Sequence, residues 1–279
     1  MEVDDPKEPE FASWRSYLKF ARRVRQTRRY VWQIEVQAFL DTVRATLKDR
    51  DVKIPVGKIF YRAQEGINYD SVVDDDDNII GEEAHGFGAV RMKPLVSRAK
   101  EGRVNPAGIP VLYLASTKQT VISEVRPWVG SEISVAQFKI LRDLKAVNLS
   151  RGHGQMSIGH LTLAQLTGEE TSDAETKEKA VWIDIDNAFS KPITRRNDAA
   201  AYVPTQILAE FFGDAGYDAI IYRSQFGEKG YNVVLFNVQD AEAINCAPYQ
   251  VTGIEVSFTE IGNKWFSTKD LESRKKKSD

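Results

Sequence analysis

The chain has 279 residues, of which 42% are apolar and 28% charged, and its formal net charge is -2. At about 100–200 residues per domain this length spans one or two domains, the apolar share can fill a core, and the near-neutral balance by itself points to no polyanionic partner. The single cysteine, Cys246, excludes an internal disulfide and suits a reducing compartment.

Met1–Glu10 is acidic and has none of the apolar stretch of a secretory signal. No apolar run reaches the roughly 18–20 residues that a membrane span needs. The expectation is a soluble cytoplasmic protein with no membrane partner. From Phe11 to about Lys48, apolar residues including Trp14, Leu18, Ala21, Val24, Leu40, Val43 and Leu47 recur at roughly helical spacing, uninterrupted by Pro or Gly. The spacing predicts two helices or one long kinked helix. No acidic residue falls between Phe11 and Ile34, whereas Arg15, Lys19, Arg22, Arg23, Arg25, Arg28 and Arg29 do. These cations raise nucleic-acid or protein binding as a second class of function; the plainer expectation is that they are ion-paired or solvated, with no nucleic-acid partner. The arm is also a candidate for docking on the rest of the chain or for assembling homo-oligomers.

Val56–Gln64 reads as a strand. Asp74–Asp77, flanked by Gly81 and Gly86, reads as a solvated loop, because like charges repel; it lacks the glycine and glutamate of a calcium loop. Gly102–Pro110 is turn chemistry and Val111–Ala115 an apolar strand. Thr117 can cap a short helix running through Glu124, which Pro127 helps to end. Strands follow at Ile133–Ile140 and Lys145–Leu149, then a loop at Gly152–Gly159. Thr171–Lys179 is polar, and Ala180–Ile185 begins another element. Val203–Phe212 reads as a helix stopped by Gly213 and Gly216. Asp218–Ser224 is a buried strand, Gly227–Gly230 a hairpin loop and Val233–Asn237 the returning strand. Val251–Ile261 reads as a final strand and Ser273–Asp279 as a frayed tail.

Strands dominate from residue 56 onward without a regular βαβ alternation. That order predicts an α+β fold: a compact mixed or antiparallel sheet with flanking helices, preceded by an α-helical N-terminal region. The expected organisation is a basic helical region over 1–50, a catalytic domain over 51–265 and a charged tail over 266–279. No internal repeat and no glycine-rich phosphate motif is present.

Arginines stand at three junctions of strand and turn: Arg62 after IFY, Arg103 in GRVNP, and Arg223 with Ser224 after DAIIY. Such junctions expose side chains on rigid supports, and guanidinium groups suit phosphates, so three of them could grip a pyrophosphate. Taken alone, each is more often a surface or ion-pair residue. His85, His153 and His160 show no metal-ligand spacing, so no metal is expected.

Four stretches in order, GKIFYRA, GRVNPAGIPVLYLASTKQTVISEVRP, VPTQILAEFF and GYDAIIYRSQFGEKGYNVVLF, resemble the RES-domain family, named for an arginine, a glutamate and a serine. The resemblance runs from about Gly57 to Asn237. It implies a fold similar to ADP-ribosyltransferase toxins, NAD as the substrate, and a toxin paired with an antitoxin protein. Hydrolysis, phosphorolysis and transfer of ADP-ribose to a protein all stay open, as does a non-catalytic binding module. By the resemblance the family's arginines fall on Arg62 and Arg103, its tyrosine on Tyr113, its glutamate on Glu124, its serine on Ser224 and the asparagine after the glycine loop on Asn232. The implied catalytic residues are Glu124, Arg62 and Tyr113; the implied NAD contacts are Arg62, Arg103, Tyr113, Ser224, Asn232 and Arg223. The chemistry agrees with these types. Breaking the nicotinamide–ribose bond passes through an oxocarbenium-like state, which a carboxylate stabilises, and nicotinamide leaves neutral, so no strong general acid is required. The family's short toxins lack an arm like Met1 to about Arg50, and the insertion around Asp74–Gly86 is long.

Overall fold

In the computed structural model, which describes residues 9–95, 98–157, 173–191, 199–226, 230–260 and 262, the basic segment forms two helices, α1 (Ser16–Gln26) and α2 (Ile34–Thr46). Each is helical because its apolar positions fall on one stripe. Tyr17, Phe20, Ala21 and Val24 of α1 and Val36, Phe39, Leu40 and Val43 of α2 are all buried, and the rings of Phe20 and Phe39 stack at 4.5 Å. A short 3-10 turn, Leu47–Arg50, then enters the sheet.

The remaining elements are β1 (Asp51–Ile54), β2 (Ile59–Glu65), β3 (Asn68–Val73), β4 (Ile79–His85), β5 (Leu112–Ala115), α3 (Lys118–Glu124), β6 (Glu132–Ile140), β7 (Leu144–Leu149), α4 (Ala174–Ser190), α5 (Val203–Asp214), β8 (Ala219–Arg223), β9 (Tyr231–Leu235) and β10 (Ala241–Gln250). Eight strands form one sheet in the order β1-β7-β8-β9-β5-β2-β6-β10, and β3 pairs with β4 as a separate hairpin. Every neighbouring pair in the large sheet is antiparallel except β7 with β8. The fold is therefore α+β with a mixed sheet, helices on its flank and a helical N-terminal region, as the sequence predicts.

Alternation along the strands divides the core into layers. Val147, Leu149, Ile220, Tyr222 and Val234 pack under α1, α2, α4 and α5 in one cluster. Phe60, Leu112, Leu114, Phe138, Val233 and Leu235 face the other way and are covered by Phe87 and Met92. The helical arm thus shares a core with the sheet. Several of its cations have intramolecular partners: Arg23 pairs with Glu35 at 2.9 Å, Arg25 donates to the Ala201 carbonyl at 3.3 Å, and Arg15 lies over the Trp14 ring. Among the described residues no helix is long and apolar enough to cross a membrane.

Two expectations require correction. The last strand is β10, Ala241–Gln250, and 251–260 forms none. β10 is an edge strand with a bulge between Ala243 and Asn245, and its Pro248 is tolerated only because an edge needs one ladder of hydrogen bonds. Residues 252–260 are apolar in part yet exposed, because no neighbouring strand receives them. The aspartate run is an exposed loop, as expected; it is the turn of the β3–β4 hairpin, where the Asp74 carboxylate accepts from the backbone N–H groups of Asp76 and Asn78 at 2.9 Å each. The polar stretch before Lys179 and the apolar stretch after it are one helix, α4, whose N-cap Asp173 accepts from the Thr176 N–H at 2.9 Å. Residues 227–229 of the hairpin loop, the far end of the Gly152–Gly159 loop, and the C-terminal tail lie outside the described residues.

The arm is tied to α4 by a buried ion pair. Arg50 Nη1 lies 2.7 and 2.8 Å from the two carboxylate oxygens of Asp186, and its guanidinium sits over the Trp182 ring. Asp186 also accepts from the Gly152 N–H at 2.6 Å. Burial pushes its carboxyl above its ordinary pKa, against the opposing pull of Arg50. Removing one partner leaves the other charge buried and alone, so Asp186→Ala is expected to cost about 3–5 kcal/mol. A urea titration of wild type and variant measures this; an unchanged midpoint would show that the pair does not hold the arm.

Candidate active site

The site is organised by a parting in the sheet. β5 pairs with β9 at Leu112, Tyr113, Leu114 and Ala115, but with β2 only where Tyr61 faces Ala115. Beyond that point the two strands diverge, and backbone groups of β5 lose their ladder partners. Arg62 on β2 meets this need: its Nη1 donates to the Tyr113 carbonyl at 3.1 Å. Its Nε is buried without a hydrogen-bond partner in the structure. Burial lowers the guanidinium pKa to about 10, still far above neutrality, so Arg62 stays charged.

A cleft of about 1280 Å³ opens at the parting. Arg62, Tyr113 and Val111 line it, and so does Val125, the residue after α3. Arg91, Lys93, Arg98 and Lys100 also line it, against only Glu65 and Glu101, so the cleft carries five cations and two carboxylates. That excess suits an anionic ligand.

α3 forms as its sequence requires. Thr117 caps it by accepting from the Thr120 N–H at 3.1 Å, and Glu124 is its last residue. The helix is pressed close to the loop before β9: a Cβ on Gly230 would lie 1.8 Å from Thr120 Oγ1, so only glycine fits there. This close approach brings Glu124 over β9. Glu124 Oε1 accepts from Ser224 Oγ at 2.7 Å and from Asn232 Nδ2 at 2.6 Å. Ser224 and Asn232 are both buried, whereas Glu124 is exposed. Both donors are neutral, so they orient the carboxylate and leave its charge uncompensated. No hydrogen bond from the described residues ends on Oε2.

The tyrosine and the second arginine have other contacts. Tyr113 donates its hydroxyl to Asn105 Oδ1 at 2.9 Å and accepts from the Val104 N–H at 3.0 Å. Burial pushes its pKa up to about 12, so it remains a neutral donor. Gly102 leaves room for it, since a Cβ there would lie 2.5 Å from the tyrosine oxygen. Arg103 donates to the carbonyls of Phe189 at 2.5 Å and Ala188 at 3.4 Å, where it caps the C-terminus of α4. Arg223 lies over the Tyr231 ring at 4.3 Å and, after burial, is the second cause lowering the pKa of His153.

Of the seven residues singled out from the sequence, the structure joins Glu124, Ser224 and Asn232 in one cluster, and Arg62 and Tyr113 at the cleft. Arg103 and Arg223 are engaged beside these groups. The buried Tyr222 links the neighbourhood, lying within electrostatic reach of Tyr113, Arg103 and Glu124. Sequence reading placed Asn105 in the turn without giving it a role, and it did not single out Gln206. Asn105 donates to the carbonyls of Lys100, Pro106 and Ile109 at 2.8–3.1 Å. Gln206 of α5 donates to those of Gly102 and Asn105 at 2.9 and 3.0 Å. Both stand in stretches quoted above, and Asn before Pro is part of the signal by which the turn is read. It also missed the cations at 91, 93, 98 and 100, which follow no motif. Among the described residues no cluster of His, Cys, Asp and Glu could hold a metal.

A family model, the RES domain, matches residues 80–258. No curated protein sequence shows a significant match. Among solved structures, the M. tuberculosis MbcT–MbcA toxin–antitoxin complex contains a chain 12% identical to this one, with 75% of this chain and 92% of that chain covered and a TM-score of 0.37.

The Gly230–Thr120 contact gives a direct test of how the carboxylate is placed. Gly230→Ala is expected to push α3 off β9 and cost about 1–3 kcal/mol by overpacking. Gly230→Ala combined with Thr120→Gly is expected to recover most of that loss. Thermal melts of the three proteins check it, and a fully stable single variant would contradict the close approach.

Proposed function

The chain belongs to the RES-domain family, and from that premise we propose that it binds NAD at the cleft beside Arg62 and Tyr113 and breaks the nicotinamide–ribose bond against Glu124. The observation that carries this reading is the exposed Glu124 carboxylate, oriented through Oε1 by two buried neutral donors, next to a cleft with an excess of cations.

Each group has a physical task in this reading. Arg62, with a buried Nε that lacks a partner, supplies charge and an unused donor to the pyrophosphate. Arg103 is committed to the end of α4 and acts indirectly, by holding the turn that Tyr113 braces. Tyr113 offers an aromatic wall for nicotinamide. As the C1′–N bond lengthens, its electron pair passes to the pyridinium nitrogen, and neutral nicotinamide leaves. Positive charge grows on the ribose, and Glu124 binds it more tightly in the transition state than in the ground state. Ser224 and Asn232 hold that carboxylate in place beforehand, so little reorganisation is needed. Oxygen of water or of phosphate then bonds to C1′, giving ADP-ribose and a proton, or the ADP-ribose phosphate ester.

Transfer of ADP-ribose to a protein is the second reading. Trp128 and Val129, 78% and 63% exposed in the turn that follows α3, offer an apolar landing point beside Glu124. The family membership further supports a toxin role with an antitoxin protein as partner, acting in the cytoplasm.

Purified protein incubated with NAD, with and without phosphate, is expected to release nicotinamide. Glu124→Gln is expected to slow release by about 10²–10³-fold, the loss typical of removing one transition-state electrostatic contact. Dependence on phosphate separates phosphorolysis from hydrolysis. Absence of release under both conditions, with intact NAD recovered, contradicts cleavage to small acceptors.

A second comparison tests the arginine. Arg62→Ala is expected to raise KM for NAD more than it lowers kcat, because a pyrophosphate contact serves ground and transition states alike. An unchanged KM would remove Arg62 from the binding site.

A further inference from the structure

Two surface patches stand apart from the proposed site and are complementary in charge. The β3–β4 hairpin, residues 68–85, carries seven carboxylates and no Lys or Arg: Asp70, Asp74–Asp77, Glu82 and Glu83. Val72, Val73, Ile79 and Ile80 are nonetheless 39–69% exposed on it. A two-stranded hairpin with apolar side chains in water is marginal when nothing covers it. The second patch is the turn between α1 and α2. Tyr30, Val31, Trp32 and Ile34 are 40–87% exposed there, beside Arg22, Arg25, Arg28 and Arg29 in a stretch without any acidic residue before Glu35.

The two patches belong to different parts of the fold. The arm enters the sheet through β1, one edge strand, and β4 lies against β10, the other edge strand. Apolar surface of matching character, with opposite charge around it, is therefore exposed at two separate places on one chain.

We infer that the hairpin of one copy docks on the α1–α2 turn of a second copy, in a head-to-tail arrangement. Val73 and Ile79, cross-strand partners on one face of the hairpin, pack against Tyr30, Val31, Trp32 and Ile34, and Asp75 and Asp76 at the hairpin's tip face Arg28 and Arg29. Because two different patches meet, the contact is heterologous, and it closes into a ring or continues as a filament. Neither patch belongs to the proposed active site, so the inference stands independently of the NAD reading.

Light scattering on the full chain tests it. At low salt the mass is expected to exceed one chain and to rise with concentration, and about 1 M salt, which screens charges beyond about 3 Å, is expected to return it to one chain. Asp75→Lys with Asp76→Lys makes the hairpin basic, and Arg28→Glu with Arg29→Glu makes the arm acidic; each double variant alone is expected to be a monomer. Asp74 is left in place because it holds the turn. Mixing the two double variants restores opposite charge at the contact and is expected to restore the assembly, a recovery that misfolded variants would not show. A wild type that stays at one chain throughout overturns the inference, as do double variants with wild-type mass or a mixture that forms no complex. A monomeric wild type that binds anionic vesicles or duplex DNA through the arm overturns it in favour of that occupant.

Discussion

Everything proposed for this site depends on one carboxylate being held in place without being neutralised. A cation beside Glu124 would fix it as firmly, but would also cancel the charge that a developing ribose cation needs. The fold uses a hydroxyl and an amide instead, Ser224 just after β8 and Asn232 on β9, and both are buried. The remaining constraints follow. Asn232 must sit on β9 opposite Ala115 of β5 and Tyr222 of β8. The backbone at 230 must come close enough to α3 that no side chain fits. α3 must begin at Thr117 so that its last residue reaches the strands.

The cleft beside this carboxylate results from the same economy of backbone bonds. Where β2 leaves β5, the Tyr113 carbonyl would be unsatisfied, and Arg62 supplies the missing donor. The guanidinium therefore serves the fold at one end while its Nε remains unmatched. The turn from Gly102 to Ile109 closes the other wall. Asn105 donates to two carbonyls inside it and to that of Lys100 just before it, Gln206 fastens it to α5, and Arg103 fastens it to α4. The N-terminal helices support this wall from behind, since they pack on α4 and α5 and are locked by the buried Arg50–Asp186 pair.

Where local chemistry decides an element, it can be read from the sequence. Thr117 as a cap, Glu124 near the helix end, and the apolar runs of β5, β6, β7, β8 and β9 all fall close to their predicted places. The grouping of Glu124, Ser224 and Asn232 comes from resemblance, since 100 or more residues separate Glu124 from its two donors and no periodicity spans that distance. Where partners decide, sequence reading fails. β10 is alanine-rich, bulged and interrupted by Pro248, yet pairs along nine positions of β6, whereas residues 252–260 have strand-like composition and stay exposed. α4 reads as two pieces because its Ala180–Ile185 stretch is almost wholly buried and shows no amphipathic period. Arg103 carries a phosphate-binding residue type, but its geometry shows a helix cap, which residue type alone could not reveal.

The most direct test of the central claim separates binding from chemistry at Glu124. Equilibrium binding of NAD and single-turnover nicotinamide release would be measured side by side for wild type and Glu124→Gln, an isosteric change that removes only the charge. The account predicts an NAD dissociation constant changed by less than about threefold, together with a single-turnover rate reduced by about 10²–10³-fold. A variant that cleaves NAD at the wild-type rate, or that fails to bind it, would contradict the role given to this carboxylate.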